Sequence, residues 1–460
     1  MGSCDYLIAE PGVACLPITP LHKNELDPYF ASAPADAGWA RAVGFIADPG
    51  SYCLVPASEG TVGRALFGIG DTPMWDWACL PDKLPRGLWR IDPPLEPERA
   101  TEAAFAWALA TYRFERYRRN LSNFASLVWP AGADRRSVER AIEATFLVRD
   151  LINTPAADMG PEELAAVAAD TATRFAAHCT IIAGDALIAR GYPAIHAVGR
   201  ASDRAPRLID LVWGDEAAPK VTLVGKGVCF DSGGLDLKPA SAMKLMKKDM
   251  GGAAIVLGLA RMIMAAGLRV RLRVLIPAVE NSVSGNALRP LDVVRTRHGT
   301  SVEIGNTDAE GRMILADALS EAASEHPALL IDCATLTGAA RVALGAELPA
   351  LFSNDDALAA SLLAHGQACD DPLWRLPLWH PYRRHIKGKT ADLTNAPDLA
   401  FAGAITAALF LEEFVDPPCP WAHIDVMAWN PDNRPGRPEG GEATGMRALF
   451  AMIASRYAST

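Results

Sequence analysis

Asn306-Thr307-Asp308-Ala309-Glu310-Gly311-Arg312 places two carboxylates, a guanidinium and a glycine within seven residues. Gly305, Asn306 and Gly311 are turn formers, so the backbone bends here. Before the bend, Ser301-Val302-Glu303-Ile304 reads as a short strand. After it, Ile314, Leu315, Ala318, Leu319 and Ala322 recur at helical spacing and predict a helix over 312–323. Asp308 and Glu310 stand two apart, so in an extended segment both carboxylates point the same way. Carboxylates aimed at one point repel unless a proton, a cation or a basic group lies between them. A divalent metal is the strongest such partner, since each carboxylate oxygen is a hard ligand. A solitary Asp-x-Glu is more often a solvated helix cap, so the weight of the metal reading rests on the remaining sequence.

A second cluster lies upstream. The apolar run Val221–Val224 reads as a buried strand, followed by a glycine loop from Gly225 to Gly234. Lys226, Asp231, Lys238 and Asp249 fall between that strand and an apolar helix over 252–266. The Gly225-x-Gly227 pair lacks the third glycine and the immediate helix of a dinucleotide fingerprint, and no phosphate-loop string occurs. Asp249 precedes Gly251-Gly252 at a helix start, where an anion is favoured. With Asp308 and Glu310, the two clusters supply four carboxylates and two lysines, which suits a site for two cations.

The flanking sequence gives these clusters a scaffold. From residue 153 onward, strands and helices alternate: strands near 180–182, 208–212, 221–224, 270–278, 328–333 and 423–426, helices at 161–177, 252–266, 312–323 and 404–414. This predicts an α/β fold whose C-terminal catalytic domain has a mostly parallel sheet covered on both sides. Ligands of such sheets sit beyond the carboxyl ends of the strands. Residues 1–130, rich in Pro and Trp, read as a smaller N-terminal α/β domain. Short apolar runs there, such as Ala42–Ala47 and Ser51–Val55, alternate with turns, and helical spacing covers 101–117. The basic cluster Arg113, Arg116, Arg118 and Arg119 reads as a solvated helix face. Residues 130–136 read as a linker, Ser137 as an N-cap, and 138–151 as an amphipathic helix that stops at Asn153-Thr154-Pro155. The expected boundaries are therefore 1–130, a linker helix at 131–152, and a catalytic domain at 153–460.

Composition narrows the function. At 460 residues, a prior of about 150 per domain allows two or three domains. Lys and Arg number 44 against 54 Asp and Glu, a net charge of -10, which argues against nucleic acid or an anionic membrane as the main partner. The nine cysteines are odd in number and never spaced as Cys-x-x-Cys, the pattern of reduced thiols in a cytoplasmic protein. No secretory signal is visible, and Tyr6 stands where a myristoylation site would carry Ser or Thr. The apolar window 251–268 carries Arg261 and reads as a buried core helix, so no membrane span is expected.

The two clusters together resemble the leucyl aminopeptidase family. Asn306–Arg312 reproduces that family's NTDAEGR signature, and Gly225–Gly234, Lys238-Pro239 and Lys248-Asp249-Met250 match its second block in type and spacing. Thr335–Ala339, Thr390–Asn395, Gly403–Ala408 and Ala443-Thr444-Gly445 extend the likeness over roughly 135–455. Ala242 departs from it, standing where the family carries glycine.

The resemblance implies a metal-dependent aminopeptidase that hydrolyses the N-terminal residue, mostly Leu or another apolar one, through a metal-bridged hydroxide. Asp231 and Glu310 would bridge two divalent ions, Mn²⁺ or Zn²⁺ with Mg²⁺ also suited. Lys226 and Asp249 would complete the tighter site, and Asp308 the more exchangeable one. Lys226 would then have to act as a neutral amine with a lowered pKa. Lys238 and Arg312 would be the catalytic pair, with a bicarbonate held at Arg312. Met246, Thr335, Thr337 and Gly338 would bind substrate. Peptides would be the partners, and a cytoplasmic homohexamer the assembly. Two other readings share the residues: a DNA-binding regulator on the same fold, and a di-metal phosphohydrolase.

Overall fold

In this computed structural model, the described residues are 4–9, 14–72, 74–118, 124–416 and 419–458. Gly2 and Arg119 lie outside them. The chain divides into two units, Met1–Phe146 with Asp432–Glu439, and Leu147–Pro431 with Gly440–Thr460.

The first unit is built on six strands: β1 (Leu7–Ile8), β2 (Leu16–Leu21), β3 (Tyr52–Pro56), β4 (Val62–Gly68), β5 (Leu88–Ile91) and β6 (Ser126–Val128), in the order β1-β6-β5-β2-β4-β3. All its pairings are parallel except the β3–β4 hairpin. Trp77, Trp89, Trp107 and Phe67 fill the core against the helix Pro97–Ala110. That helix starts and stops earlier than its spacing predicts. Pro97 occupies its first turn, and residues 112–118 leave the helix, so Arg113, Arg116 and Arg118 form no helix face. Ala42 ends a helix and 43–47 form no strand. The expected linker is shorter than its composition suggests, because the next helix, Arg135–Asn153, begins inside it. Its cap is the Asp134 carboxylate, which accepts from the Ser137 amide at 3.0 Å, so Ser137 is not the cap.

The second unit is a nine-stranded sheet: β7 (His178–Ala183), β8 (Arg207–Trp213), β9 (Lys220–Gly225), β10 (Gly227–Asp231), β11 (Arg271–Asn281), β14 (Leu329–Ala334), β15 (Ala350–Ser353), β16 (Trp374–Arg375) and β18 (Trp421–Asp425). The short strands β12 (Val293–Arg295), β13 (Ser301–Glu303) and β17 (Leu393–Thr394) form a separate ribbon. The order is β16-β15-β18-β14-β9-β11-β8-β7, with β10 added beside β11. The four central strands β18, β14, β9 and β11 run parallel, and antiparallel pairs occur only toward the edges. Every residue of β14 and β18 is buried, as expected of strands covered on both faces. The stretch 227–231, read from sequence as loop, is the strand β10. Its Gly227 and Val228 pair with Ala278 and Val279, a partnership no local signal announces.

The apolar window forms the helix Gly251–Ala266, nearly all of it buried among core side chains. Met246–Ala266 is long and apolar enough to cross a membrane, yet most of it is enclosed by the fold. Burying one Leu- or Ile-sized side chain contributes about 1.5–3 kcal/mol. Ile255, Val256, Leu257 and Leu259 thus seat this helix firmly, and with it the Asp249 turn that precedes it.

Candidate metal and peptide site

The carboxyl ends of β9, β10, β14 and β18 deliver Lys226, Asp231, Thr335 and Asp425 to one edge of the sheet. The backbone of Lys226 is fixed there: its amide donates to the Cys333 carbonyl at 3.0 Å, and its carbonyl accepts from Ala253 at 2.9 Å. Its side chain, 3 % exposed, turns inward. Nζ lies 2.8 Å from Asp249 Oδ2 and 3.0 Å from Glu310 Oε1, and donates to the Thr335 carbonyl at 3.0 Å. Lys238 Nζ lies 2.7 Å from Asp231 Oδ2 and also meets Asp308 Oδ1.

The signature stretch is not extended. Residues 307–308 form a turn, and Glu310 is the first residue of the helix Glu310–Ser324. Asp308 and Glu310 converge because a turn feeds a helix, not through strand alternation. Two neighbours and one residue of its own hold the turn. Asn395 accepts from the Gly305 and Asn306 amides and donates to the Asn306 and Ala309 carbonyls. Thr307 donates to the Gly233 carbonyl and accepts from the Asp236 amide. Asn281 spans the two clusters, donating to Asp231 Oδ1 at 2.8 Å and to the Thr307 carbonyl at 3.1 Å. Gly233 and Gly234 both have positive φ, +88° and +67°, and a Cβ on Gly234 would stand 3.0 Å from Asn281 and Thr307. Only glycine passes comfortably between those partners.

A single oxygen of each of Asp231, Asp308 and Glu310 falls within 4.8 Å of the others. Glu310 Oε2 is buried and has no hydrogen-bond partner among the described residues. Burial and then Asp231 hold the Glu310 carboxyl well above its ordinary range. Asp308 is pushed up to about 6 by burial and by Asp231, with Lys238 opposing. An orphaned carboxylate oxygen within a crowded acidic triad is the arrangement a divalent cation satisfies, so the donor set fits metal.

The lowered Lys226 pKa is an expectation for the metal-loaded site; among the protein's own groups the direction is the opposite. Burial pulls its ammonium down, but Asp249, Glu310 and Asp231 outweigh it and hold the proton. Lys238 follows the same pattern with Asp231 and Asp308. Protein groups alone therefore keep Lys226 charged, and a metal must displace that proton to use the amine.

All eleven residues singled out in the sequence line one cavity of about 490 Å³: Lys226, Asp231, Lys238, Met246, Asp249, Asp308, Glu310, Arg312, Thr335, Thr337 and Gly338. Ala242 lines it too. Arg312 is buried, and its pKa is brought down to about 10 by burial while Glu310 and Asp425 hold it up, so it stays cationic at neutrality. One of its nitrogens donates to the Asn395 carbonyl; its Nε has no partner among the described residues. The Thr335 hydroxyl is committed to Asp249, at 2.7 Å from Oδ1, and that of Thr337 to Asp425 Oδ2 at 2.6 Å.

Sequence reading passed over Asn281, Asn395 and Asp425, which position the site. Asp425 accepts from the Leu336 and Thr337 amides and so fixes the loop beyond β14. Its place at a strand end was the available signal. Asn395 ended a stretch that was read only as part of the family likeness, and Asn281 carried no signal, since its partners are many residues distant.

A model of the cytosol aminopeptidase family catalytic domain matches residues 146–450, and one of the M17 aminopeptidase N-terminal domain matches 16–130. A crystal structure of cytosol aminopeptidase from Coxiella burnetii is similar at 50% identity and a TM-score of 0.95, covering 98% of this chain and all of that one. The bottromycin maturation enzyme BotP in complex with Mn is similar at 34% identity and a TM-score of 0.85, over 96% of this chain and 100% of its own. A probable cytosol aminopeptidase of Syntrophotalea carbinolica is 43% identical over 365 residues, 75% of this chain and 73% of its own length. Peptidase B of Serratia proteamaculans is 42% identical over 337 residues, 70% of this chain and 78% of its own.

Proposed function

The chain belongs to the cytosol aminopeptidase family of metal-dependent aminopeptidases, and we propose that it removes N-terminal residues, chiefly apolar ones, from peptides in the cavity described above. The observation that carries this reading is the orphaned Glu310 Oε2 beside Asp231 and Asp308. Asp231 and Glu310 would help hold both of two divalent ions, with Lys226 and Asp249 completing one site and Asp308 the other. When bound, such ions acidify a shared water, polarise a scissile carbonyl and anchor a free α-amine.

The chain's own groups complete the chemistry. Lys238, protonated and already between Asp231 and Asp308, is placed to donate to the oxyanion that develops on the carbonyl. Arg312 cannot serve as a base, but its free Nε suits a planar anion such as bicarbonate. Thr335 holds Asp249 and accepts from Lys226, so it orients ligands as well as facing substrate. Met246, Thr337 and Gly338 line the same cavity and would border the first side chain of a bound peptide.

Mn²⁺ is the first metal to test, because BotP has been solved with it; Zn²⁺ and Mg²⁺ suit the same oxygens. We read residues 153–460 as the catalytic domain, 131–152 as a linker helix and 1–130 as a separate N-terminal domain. The functional form is read as a cytoplasmic homohexamer; the described cysteines form no disulfide with one another, which supports the reducing compartment.

Elemental analysis of purified protein, paired with leucine anilide and a phosphate ester assayed with Mn²⁺ or chelator, tests the reading. Two metals per chain and chelator-sensitive cleavage of the anilide are expected. Phosphate-ester turnover exceeding anilide turnover, or full anilide turnover in chelator, would overturn it.

A further inference from the structure

Met246 lines the cavity from the turn Met246–Met250, and Val426 and Met427 line it from the segment that follows β18. Ala428, next in sequence, is buried and left-handed, at φ +53°. A residue with a Cβ holds that conformation only where its surroundings fix it. The Ala428 carbonyl accepts from the Glu442 amide at 3.2 Å. Its methyl group packs at the start of the helix Gly251–Ala266, where a Cβ on Gly251 would stand 2.4 Å from it.

Both walls are tied to one helix end. Arg149, 1 % exposed, lies in the last turns of Arg135–Asn153. Its guanidinium forks onto Glu442: Nε donates to Oε1 at 3.2 Å and Nη2 to Oε2 at 3.0 Å. The same carboxylate accepts from Asn430 Nδ2 at 2.7 Å and from the Ala443 amide at 2.9 Å. Trp429 and Asn430 pair with Gly441 and Gly440, so Glu442 anchors the short ladder that follows Met427. Asn153 stands four residues after Arg149, on the same helix face. Its Oδ1 accepts from the Gly441 amide at 2.8 Å, and its carbonyl accepts from Lys247 Nζ at 2.5 Å. Lys247 belongs to the turn that carries Met246, and its Nζ lies 5.5 Å from the Trp429 ring. A Cβ on Gly441 would stand 2.6 Å from that of Ile152, so helix and ladder meet without slack.

Resting on the aminopeptidase reading, we infer that Arg149 is a positioning residue for substrate selection. Its pair with Glu442 sets the spacing of Met427 from Met246, and with it the room for the substrate's first side chain. Neither Arg149 nor Glu442 lines the cavity, so the pair acts on the wall and not on the reacting atoms. A forked charge pair suits this task, because two parallel hydrogen bonds fix direction as well as distance. Breaking it strands a buried charge and lowers stability too, so selectivity and stability have to be read separately.

The test uses the full-length Mn²⁺-loaded enzyme and the ratio of kcat/KM for leucine anilide over alanine anilide. That ratio does not depend on how much of the protein is folded, so a purely structural role leaves it unchanged. R149M should lower it by about tenfold, mainly through KM for the leucine substrate, with two metals retained. R149K keeps both charges but loses the fork, so it should fold and give an intermediate ratio. R149M/E442Q strands neither charge: its melting temperature should recover toward wild type while its ratio stays low. An unchanged ratio in R149K overturns the inference, as does loss of metal in that variant. So does a ratio that returns to wild type along with the melting temperature in the double variant. If wild-type protein cuts leucine anilide and the variants keep its ratio, only this inference fails. If wild-type protein cuts neither anilide, the aminopeptidase reading fails with it.

Discussion

Replacing Gly311 with alanine adds one methyl group directly against the amine at the centre of the site. Its Cβ would stand 2.4 Å from Cε, 2.7 Å from Nζ and 2.8 Å from Cδ of Lys226. Carbon atoms in contact need about 3.5 Å, so the lysine must retreat by roughly 1 Å. Retreat stretches its links to Asp249, Glu310 and the Thr335 carbonyl, at 2.8, 3.0 and 3.0 Å. Helix propensity opposes the effect, since Gly311 is the second residue of Glu310–Ser324 and alanine is favoured there by up to about 1 kcal/mol. Overpacking costs about 1–3 kcal/mol, and weakened hydrogen bonds to charged groups about 1.5–3 kcal/mol. The clash therefore wins by about 2 kcal/mol, or roughly thirtyfold in Mn²⁺ affinity. Competition against a fluorescent chelator measures that affinity, and a thermal melt separates it from unfolding. A folded G311A protein with wild-type Mn²⁺ affinity and wild-type turnover of leucine anilide would refute the placement of Lys226 in the metal site.

Glu310→Gln should abolish both metal binding and activity, since this residue contributes the orphaned oxygen; retention of two metals by elemental analysis would contradict that. Lys238→Ala should slow turnover by about 100-fold while metal content stays normal, as expected of a donor to the transition state; loss of metal would reassign it. Mn²⁺ affinity should weaken as pH falls through about 6, because Asp308 is pushed up to about 6 and Glu310 higher still, and each must shed its proton to ligate. Lys226 adds the same sign on the alkaline side, since its held proton must also leave, so affinity should keep rising above neutrality; a flat profile in a Mn²⁺ titration across pH would count against both. Chelation should remove activity yet leave the fold intact, because Lys226 and Lys238 already bridge the four carboxylates in pairs; an unfolded circular dichroism spectrum in chelator would disprove this.

Residue chemistry and short-range pattern were legible in the chain. The alternation of apolar strands and helices from Val221 to Val426 announced a mostly parallel sheet, because burial on both faces demands uninterrupted apolar strands. The spacing within 225–249 and 306–312 named the donors, since which atoms can ligate is a property of the side chains themselves. Boundaries suffered where one residue outweighed periodicity, as Pro97 and Asp134 did at their helix starts. What required the fold was convergence. Asp231 meets Asn281 fifty positions away, and Arg312 meets the Asn395 carbonyl eighty-three away. The strand identity of 227–231 and the proton retained on Lys226 both follow from such long-range neighbours. A local window reports propensity and periodicity, whereas charge state and pairing depend on which distant segments the sheet order brings to the same edge.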